Sequence, residues 1–310
     1  MPALSLIICR YRDEHFERLA ANLDDTLVTD AERVVIDNRT GGFDLFTAYN
    51  EGIRHATGDY LCFLHEDLYF HETGWDARAV AHFAADAGLG MIGVAGGRSV
   101  TVLPRSWTHT YFPDDHAKAV IEPDGRGGFT RQVVGLGEDG RRQVLLLDGI
   151  FLCVRRSLVE EHGLRFDDAH FSGFHRYDYD FCMQVARHAR IAVVGDLCPQ
   201  HFSAGVRSPA WLAAAIDFQR KYNDVLPCAI ADGEPGIQRL PLSSEDYRAA
   251  ARFAWNMRKR GFSRKRVREV LDLVLGEGGA WPVELRMGWA WGRGKLGAQA
   301  VRFGRLNGSD

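Results

Sequence analysis

Three successive residues, His65-Glu66-Asp67, follow directly on five strand-like residues, Tyr60-Leu61-Cys62-Phe63-Leu64. Carboxylate oxygens are hard ligands suited to Mg²⁺ or Mn²⁺, which usually share their coordination shell between one or two carboxylates and substrate phosphates. In open α/β sheets the ligand crevice lies outside the carboxyl ends of the strands, so acidic residues at that point stand where a substrate would be. Other polar groups sit at comparable places. Asp37 closes the run Arg33-Val34-Val35-Ile36, Asp178 and Asp180 lie in an aromatic and acidic run from Phe171 to Asp180, and His201 follows Cys198-Pro199-Gln200. An acidic triplet after a strand is by itself equally a solvated loop, so the surrounding pattern decides.

That pattern alternates strands and helices. Leu4 to Cys9 reads as a buried strand ending in the loop Arg10-Tyr11-Arg12-Asp13, and Phe16, Leu19, Ala20 and Leu23 have helical spacing behind an acidic first turn. A second strand runs to Asp37, and a helix from Leu45 to Ala56 places Asn50 and Arg54 four residues apart on one face. After the Tyr60–Leu64 strand come a helix over Trp75–Ala85 and a strand over Met91–Ala95. Such alternation predicts a mostly parallel sheet. The stretch from Gly96 to Gly140 is rich in Gly, Pro and Asp, carries Trp107, Tyr111, Phe112 and Phe129, and predicts long loops and a hairpin that would set specificity. Strand character resumes around Asp148-Gly149, where glycine permits close backbone approach to a ligand.

A short helix is expected from Ser157. A further one over Phe181–His188 puts Asp178 near its N-terminus, and residues two apart do not share a helix face, so at most one of Asp178 and Asp180 should enter a common site. Beyond Pro209 the chain predicts helices over Trp211–Tyr222 and Ser243–Met257. A basic cluster follows at Arg258, Lys259, Arg260, Arg264, Lys265, Arg266 and Arg268, and then a tail with Trp281, Trp289 and Trp291 among Arg286, Arg293, Lys295, Arg302 and Arg305.

With 310 residues, 46% of them hydrophobic and 25% charged, the chain has room for one large or two unequal domains; the division expected is 1–230 and a helical, basic, Trp-rich 231–310. A net charge of -3 provides no global field toward nucleic acid or acidic membranes. Six cysteines without a CxxC pair read as reduced core residues. The first residues lead straight into a strand-like run, and no apolar segment approaches the roughly 18 residues a spanning helix needs, so a cytoplasmic protein is expected. Trp beside Arg and Lys in the tail would suit peripheral contact with an anionic membrane face, and equally a solvated helix surface.

The order of landmarks resembles a family 2-type glycosyltransferase of the GT-A fold, and within that group is most similar to the StrF-domain glycosyltransferase-like family. The resemblance rests on LSLIICRYRD (4–13), VVIDN (34–38), AYNEGIRHATGDYLCFLHEDLYF (48–70), DGIFLCVRR (148–156), FSGFHRYDYDFCM (171–183) and QHFSAG (200–205). It implies a Rossmann-like, mostly parallel sheet flanked by helices, and transfer of a sugar from a nucleotide diphosphate sugar to a hydroxyl acceptor, metal-dependent through Mn²⁺ or Mg²⁺ and inverting. The implied donor contacts are Arg10, Tyr11, Asp37, Asn50, Arg54, His65 and Glu66. Asp67 and His201 would hold the metal, with His65 in the place of the first Asp of the usual DxD motif. Asp178 matches the general base, Tyr177 stands where a Glu usually precedes it, and Trp107, Tyr111, Gly149, His175 and Tyr177 are the expected acceptor contacts. Two rivals remain at this point: a non-catalytic nucleotide-sugar or glycan-binding module, and a nucleotidyltransferase. The latter lacks the glycine-rich phosphate loop it would need after the first strand.

Overall fold

The computed structural model describes residues 2–108, 115–203, 205, 208–276 and 285–293. Tyr111 and Phe112, and in the tail Trp281, Lys295, Arg302 and Arg305, lie outside the described residues. The chain divides into two compact units. One comprises Met1–Val100, Trp107–Ala214 and Ala229–Gln238; the other comprises Thr101–Ser106, Ala215–Cys228 and the chain from Arg239 on.

The first unit is built on a seven-stranded sheet in the order Arg141–Val144, Arg190–Val194, Leu89–Gly93, Phe151–Arg155, β3 (Tyr60–Leu64), β1 (Leu4–Arg10) and β2 (Ala31–Asp37). β1 pairs in parallel with β2 and β3, and Arg190–Val194 with Leu89–Gly93. The strand Phe151–Arg155 is antiparallel to both of its neighbours, and Arg141–Val144 is antiparallel to Arg190–Val194. Five of the seven strands therefore run one way, which is the expected GT-A sheet. The reversed strand matters for the site. Phe151 opposes Leu64, and the His65 N–H donates to the Ile150 carbonyl, so Asp148-Gly149-Ile150 is delivered to the carboxyl end of β3.

Sequence explains why these elements form. Leu4, Leu6, Ile7 and Ile8 of β1 and Leu61 to Leu64 of β3 are fully buried, as continuous apolar runs in a sheet covered on both faces require. Helix α1 (Asp13–Thr26) and helix α2 (Leu45–His55) follow β1 and β2, α2 opening with a capping box between Asp44 and Thr47. Gly52 in α2 costs helix propensity but permits close approach to β1, since a Cβ there would lie 2.2 Å from Ile7 Cγ2. Helices α3 (Trp75–Ala85) and α4 (Arg156–His162) lie where sequence places them. Helix α5 (Tyr177–Val185) starts four residues before the expected Phe181 and ends before the expected His188. Arg176 turns the chain at φ 70°, and Asp178 and Asp180 occupy the first turn, where the helix dipole favours carboxylates.

A second sheet carries Leu146–Leu147, Ala95–Gly97, His116–Pro123, Gln200–His201 and Leu68–Tyr69, with Phe129–Val134 paired to His116–Pro123 as the expected hairpin. His201 opposes Leu68 in it, which brings His201 beside Asp67. In the second unit, helices Ser244–Lys259 and Arg264–Leu275 pack through Ala250, Ala254, Val267, Val270 and Leu271, and Ser243 and Ser263 cap their N-termini. There Arg286 is buried against Asp272, while Trp255, Trp289 and Trp291 are exposed. All six cysteines are buried free thiols. Among the described residues no helix is long and apolar enough to cross a membrane.

Candidate active site

The carboxyl end of β3 gathers the chemistry. Asp67 is buried, with Oδ1 3.4 Å from His201 Nε2 and 4.0 Å from His65 Nδ1, while Oδ2 accepts from the Ser203 N–H at 3.1 Å. Ligand atoms of His65, Asp67 and His201 all lie within 4.8 Å of one another. Two of these approaches exceed the 2.7–3.2 Å of a good hydrogen bond, so the three groups face a common point without being tied together. A buried carboxylate between two imidazoles is a donor set that fits one divalent cation. Electrostatics agree. Burial opposes ionisation of Asp67, yet His201 and His65 outweigh it and hold the carboxyl well below the usual range. Burial likewise opposes protonation of His201, but Asp67 holds it above its ordinary value; burial and His201 push His65 below.

Glu66, between these ligands, turns away from them. Its carboxylate accepts from the backbone N–H groups of Tyr11 at 2.7 Å and Arg12 at 3.0 Å, which ties the loop after β1 to the end of β3. Glu66 and Asp67 form a turn after β3, where the Leu68 N–H reaches back to the His65 carbonyl at 3.4 Å, and from that turn Glu66 tethers the loop after β1.

Asp178 lies across the site on the first turn of α5. Its Oδ2 accepts from the Gly149 N–H at 3.1 Å and its Oδ1 from the Tyr179 N–H at 2.9 Å. Burial and the neighbouring Asp148 carboxylate push its pKa up to about 7, against the pull of Arg176 and the two N–H groups. Asp180 points into the core and accepts from Gln184, so only one of the pair enters the site. Asp148 escaped the sequence reading, although its signal was present in the Asp-Gly step. Its Oδ2 accepts from the Trp107 indole N–H at 2.7 Å and its Oδ1 from the Ile150 N–H at 3.3 Å.

Packing engages several of the expected contact residues within the protein. Trp107 is 8% exposed and anchors Asp148, so its ring is no open stacking platform. Tyr177 is 3% exposed, its ring edge-on to Phe46 and Tyr49, and its hydroxyl lies 2.7 Å from His65 Nε2. Gly149 does leave room for a close approach, but for Tyr177: a Cβ there would meet the hydroxyl at 2.1 Å. Asn50 is buried and exchanges hydrogen bonds with the Phe166 backbone at 2.7 and 3.0 Å. Arg54, paired with Glu51, sits on the last turn of α2, at the end of the helix away from the carboxyl ends of the strands.

Arg10, Tyr11, Asp37 and His175 do border the carboxyl edge. Asp37 opposes Arg10 across β1 and β2, and its exposed carboxylate is bridged by Arg39 at 2.6 Å, which holds it well below the usual range. Arg10 pairs with Asp13, which Arg39 also approaches at 3.6 Å. Tyr11 and Phe174, each about half exposed, set their rings 6.4 Å apart. Phe174 was not anticipated, because aromatic residues in an irregular run read equally as core. His175 is half-buried, and burial and Arg176 lower its pKa.

Comparisons with known proteins bear on this arrangement. Residues 5–222 match the family described as "Glycosyltransferase like family". A search of curated proteins found no match. Among solved structures, the chain is similar to S. aureus TarS 1-349 in complex with UDP, at 13% identity over 99% of this chain and 92% of that one, with a TM-score of 0.52. It is also similar to S. aureus TarS at 14% identity, covering 94% of this chain and 53% of that one, TM-score 0.50. A mannosyltransferase, PcManGT from Pyrobaculum calidifontis in complex with GDP-Man and Mn²⁺, aligns at 14% identity over 100% of this chain and 76% of that one, TM-score 0.43. At these identities the likeness concerns the fold.

Proposed function

The chain belongs to the glycosyltransferase-like family, and from that premise we propose that it moves a sugar from a nucleoside diphosphate sugar to a hydroxyl acceptor, with inversion and with a bound divalent cation. The catalytic part on this reading is the expected 1–230, with 231–310 as a helical appendage. The observation that carries the proposal is the placement of the His65, Asp67 and His201 cluster and the Asp178 carboxylate at the carboxyl end of one strand.

Asp178 is the base in this mechanism. The acceptor oxygen bonds to the anomeric carbon as its proton passes to a carboxylate oxygen of Asp178, and the bond from that carbon to the phosphate oxygen breaks, its electron pair leaving with the nucleoside diphosphate. A single displacement of this kind inverts the anomeric centre. A base is most effective when its pKa lies near the working pH, and about 7 meets that condition where an ordinary Asp would be too weak. The N–H groups of Gly149 and Tyr179 hold both carboxylate oxygens, and Trp107 keeps Asp148 in place beside them. A cation held by His65, Asp67 and His201 would supply charge neutralisation at the departing diphosphate. Tyr11 and Phe174 present ring faces to the donor or acceptor.

A thermal-shift screen against UDP, GDP, CDP and dTDP sugars, with and without divalent metal, tests the proposal. A ligand that binds only the folded state raises the unfolding midpoint. The expected result is a metal-dependent shift with one base, lost in Asp67→Ala, together with donor turnover that Asp178→Asn abolishes. Binding with turnover unchanged in Asp178→Asn would remove the base from the mechanism.

A further inference from the structure

Charge is divided unevenly along the chain. Residues 239–310 carry 15 Lys and Arg against seven Asp and Glu, whereas residues 1–238 carry 23 against 34. In the second compact unit these cations share a surface with large exposed aromatic side chains, and sugar transfer gives that surface no role. We propose that it is a docking face for an anionic lipid bilayer, to which the protein binds peripherally through tryptophans at headgroup level and cations paired with lipid phosphates.

Helix Ser244–Lys259 buries Ala250, Ala254 and Met257, and carries Arg248, Arg252, Trp255 and Lys259 at spacings of four, three and four, which makes one stripe of its surface. Glu245 begins that stripe, and Arg248, at 2.9 Å, and Arg252 share its carboxylate. Trp255 is 56% exposed, with the Lys259 ammonium 5.7 Å from its ring centroid. The helical residues 285–293 repeat the pattern. Ala290 is buried there, as is Arg286, which pairs with Asp272 and donates to the Gly276 carbonyl at 2.7 Å. Leu285, Trp289 and Arg293, four residues apart, are exposed. The Arg293 guanidinium lies 4.6 Å from the Trp289 ring and 5.1 Å from that of Tyr247, which fixes this segment against the start of Ser244–Lys259.

The chemistry selects the partner. The four acids described within 239–293 are already engaged: Glu245 by two arginines, Asp246 by the cap at Ser243, Glu269 by Arg266 and Asp272 by Arg286. The surplus cations therefore present a positive face, complementary to an anionic one. Indoles beside cations fit the boundary between headgroups and acyl chains, where the ring is buried and its N–H stays wet. Nucleic acid fits less well, because base stacking uses open ring faces and a cation already occupies one face of Trp255 and of Trp289.

The test is co-sedimentation of the full chain, without nucleotide or metal, with vesicles of phosphatidylcholine alone and of equal parts phosphatidylcholine and phosphatidylglycerol. At low salt the mixed vesicles should bind the protein and shift its tryptophan emission to the blue, and the pure ones should not. Salt at about 1 M, where screening acts within roughly 3 Å, should release it. Each cation near an anionic surface contributes about fivefold, so Arg252→Gln with Lys259→Gln should weaken binding by about 25-fold. Trp255→Ala with Trp289→Ala should weaken it by about 10-fold and reduce the blue shift; if that variant fails to fold, the charge variant decides alone. No binding to mixed vesicles at low salt, equal binding to both vesicle types, or folded variants that bind as the parent does would overturn the inference. So would a single-stranded oligonucleotide that outcompetes the mixed vesicles, since the face would then be a nucleic-acid site. The transferase reading stands or falls separately, because neither donor nor acceptor is present in these mixtures.

Discussion

If Asp178 is a desolvated base, the protein should be more stable without its charge. Its pKa rises from an ordinary 3.8 to about 7 on folding, because of burial and Asp148. Between those two pH values the folded protein holds a proton that the unfolded chain has released. The associated stability is therefore fully present below pH 3.8, declines as pH rises, and is gone above about pH 7. About three units at roughly 1.4 kcal/mol each give a ceiling of about 4 kcal/mol. Asp178 is only half-buried, so solvent screening lowers that figure. Asn also places an amide donor opposite one of the N–H groups of Gly149 and Tyr179, a loss of about 1 kcal/mol. Asp178→Asn should thus gain roughly 1–3 kcal/mol over the parent at pH 8, with the advantage shrinking toward pH 5. Urea denaturation of both proteins at pH 5, 6, 7 and 8, in chelator, reads this directly. The same variant should lose transfer activity by about 10²- to 10⁴-fold, and parent activity should climb with pH through about 7. A variant less stable than the parent at pH 8, or a difference that does not change between pH 5 and 8, would refute the argument.

Two further substitutions probe the scaffold around that base. Gly149→Ala drives a Cβ to within 2.1 Å of the Tyr177 hydroxyl, so the urea midpoint should fall by the equivalent of about 1–3 kcal/mol and divalent-ion affinity should fall with it. Glu66→Ala releases the N–H groups of Tyr11 and Arg12, and hydrogen exchange at those two amides should quicken markedly while α3 and β3 keep their protection; unchanged exchange would remove Glu66 as the loop's tether.

Much of the frame was legible because its signals are local. The apolar runs of β1 and β3 and the capped, periodic α2 need no distant partner to be recognised, and the acidic ends of the strands follow from strand polarity. What was lost is long-range. Asn50 and Arg54 have the right spacing to share a face, but which part of that face is covered depends on Phe166, 116 positions away. The direction of the Phe151–Arg155 strand leaves no trace in its composition, yet its reversal is what brings Asp148 and Gly149 to His65. Tyr177 reads as an acceptor contact for the same reason: an aromatic residue between Arg176 and Asp178 carries no mark of which side is core.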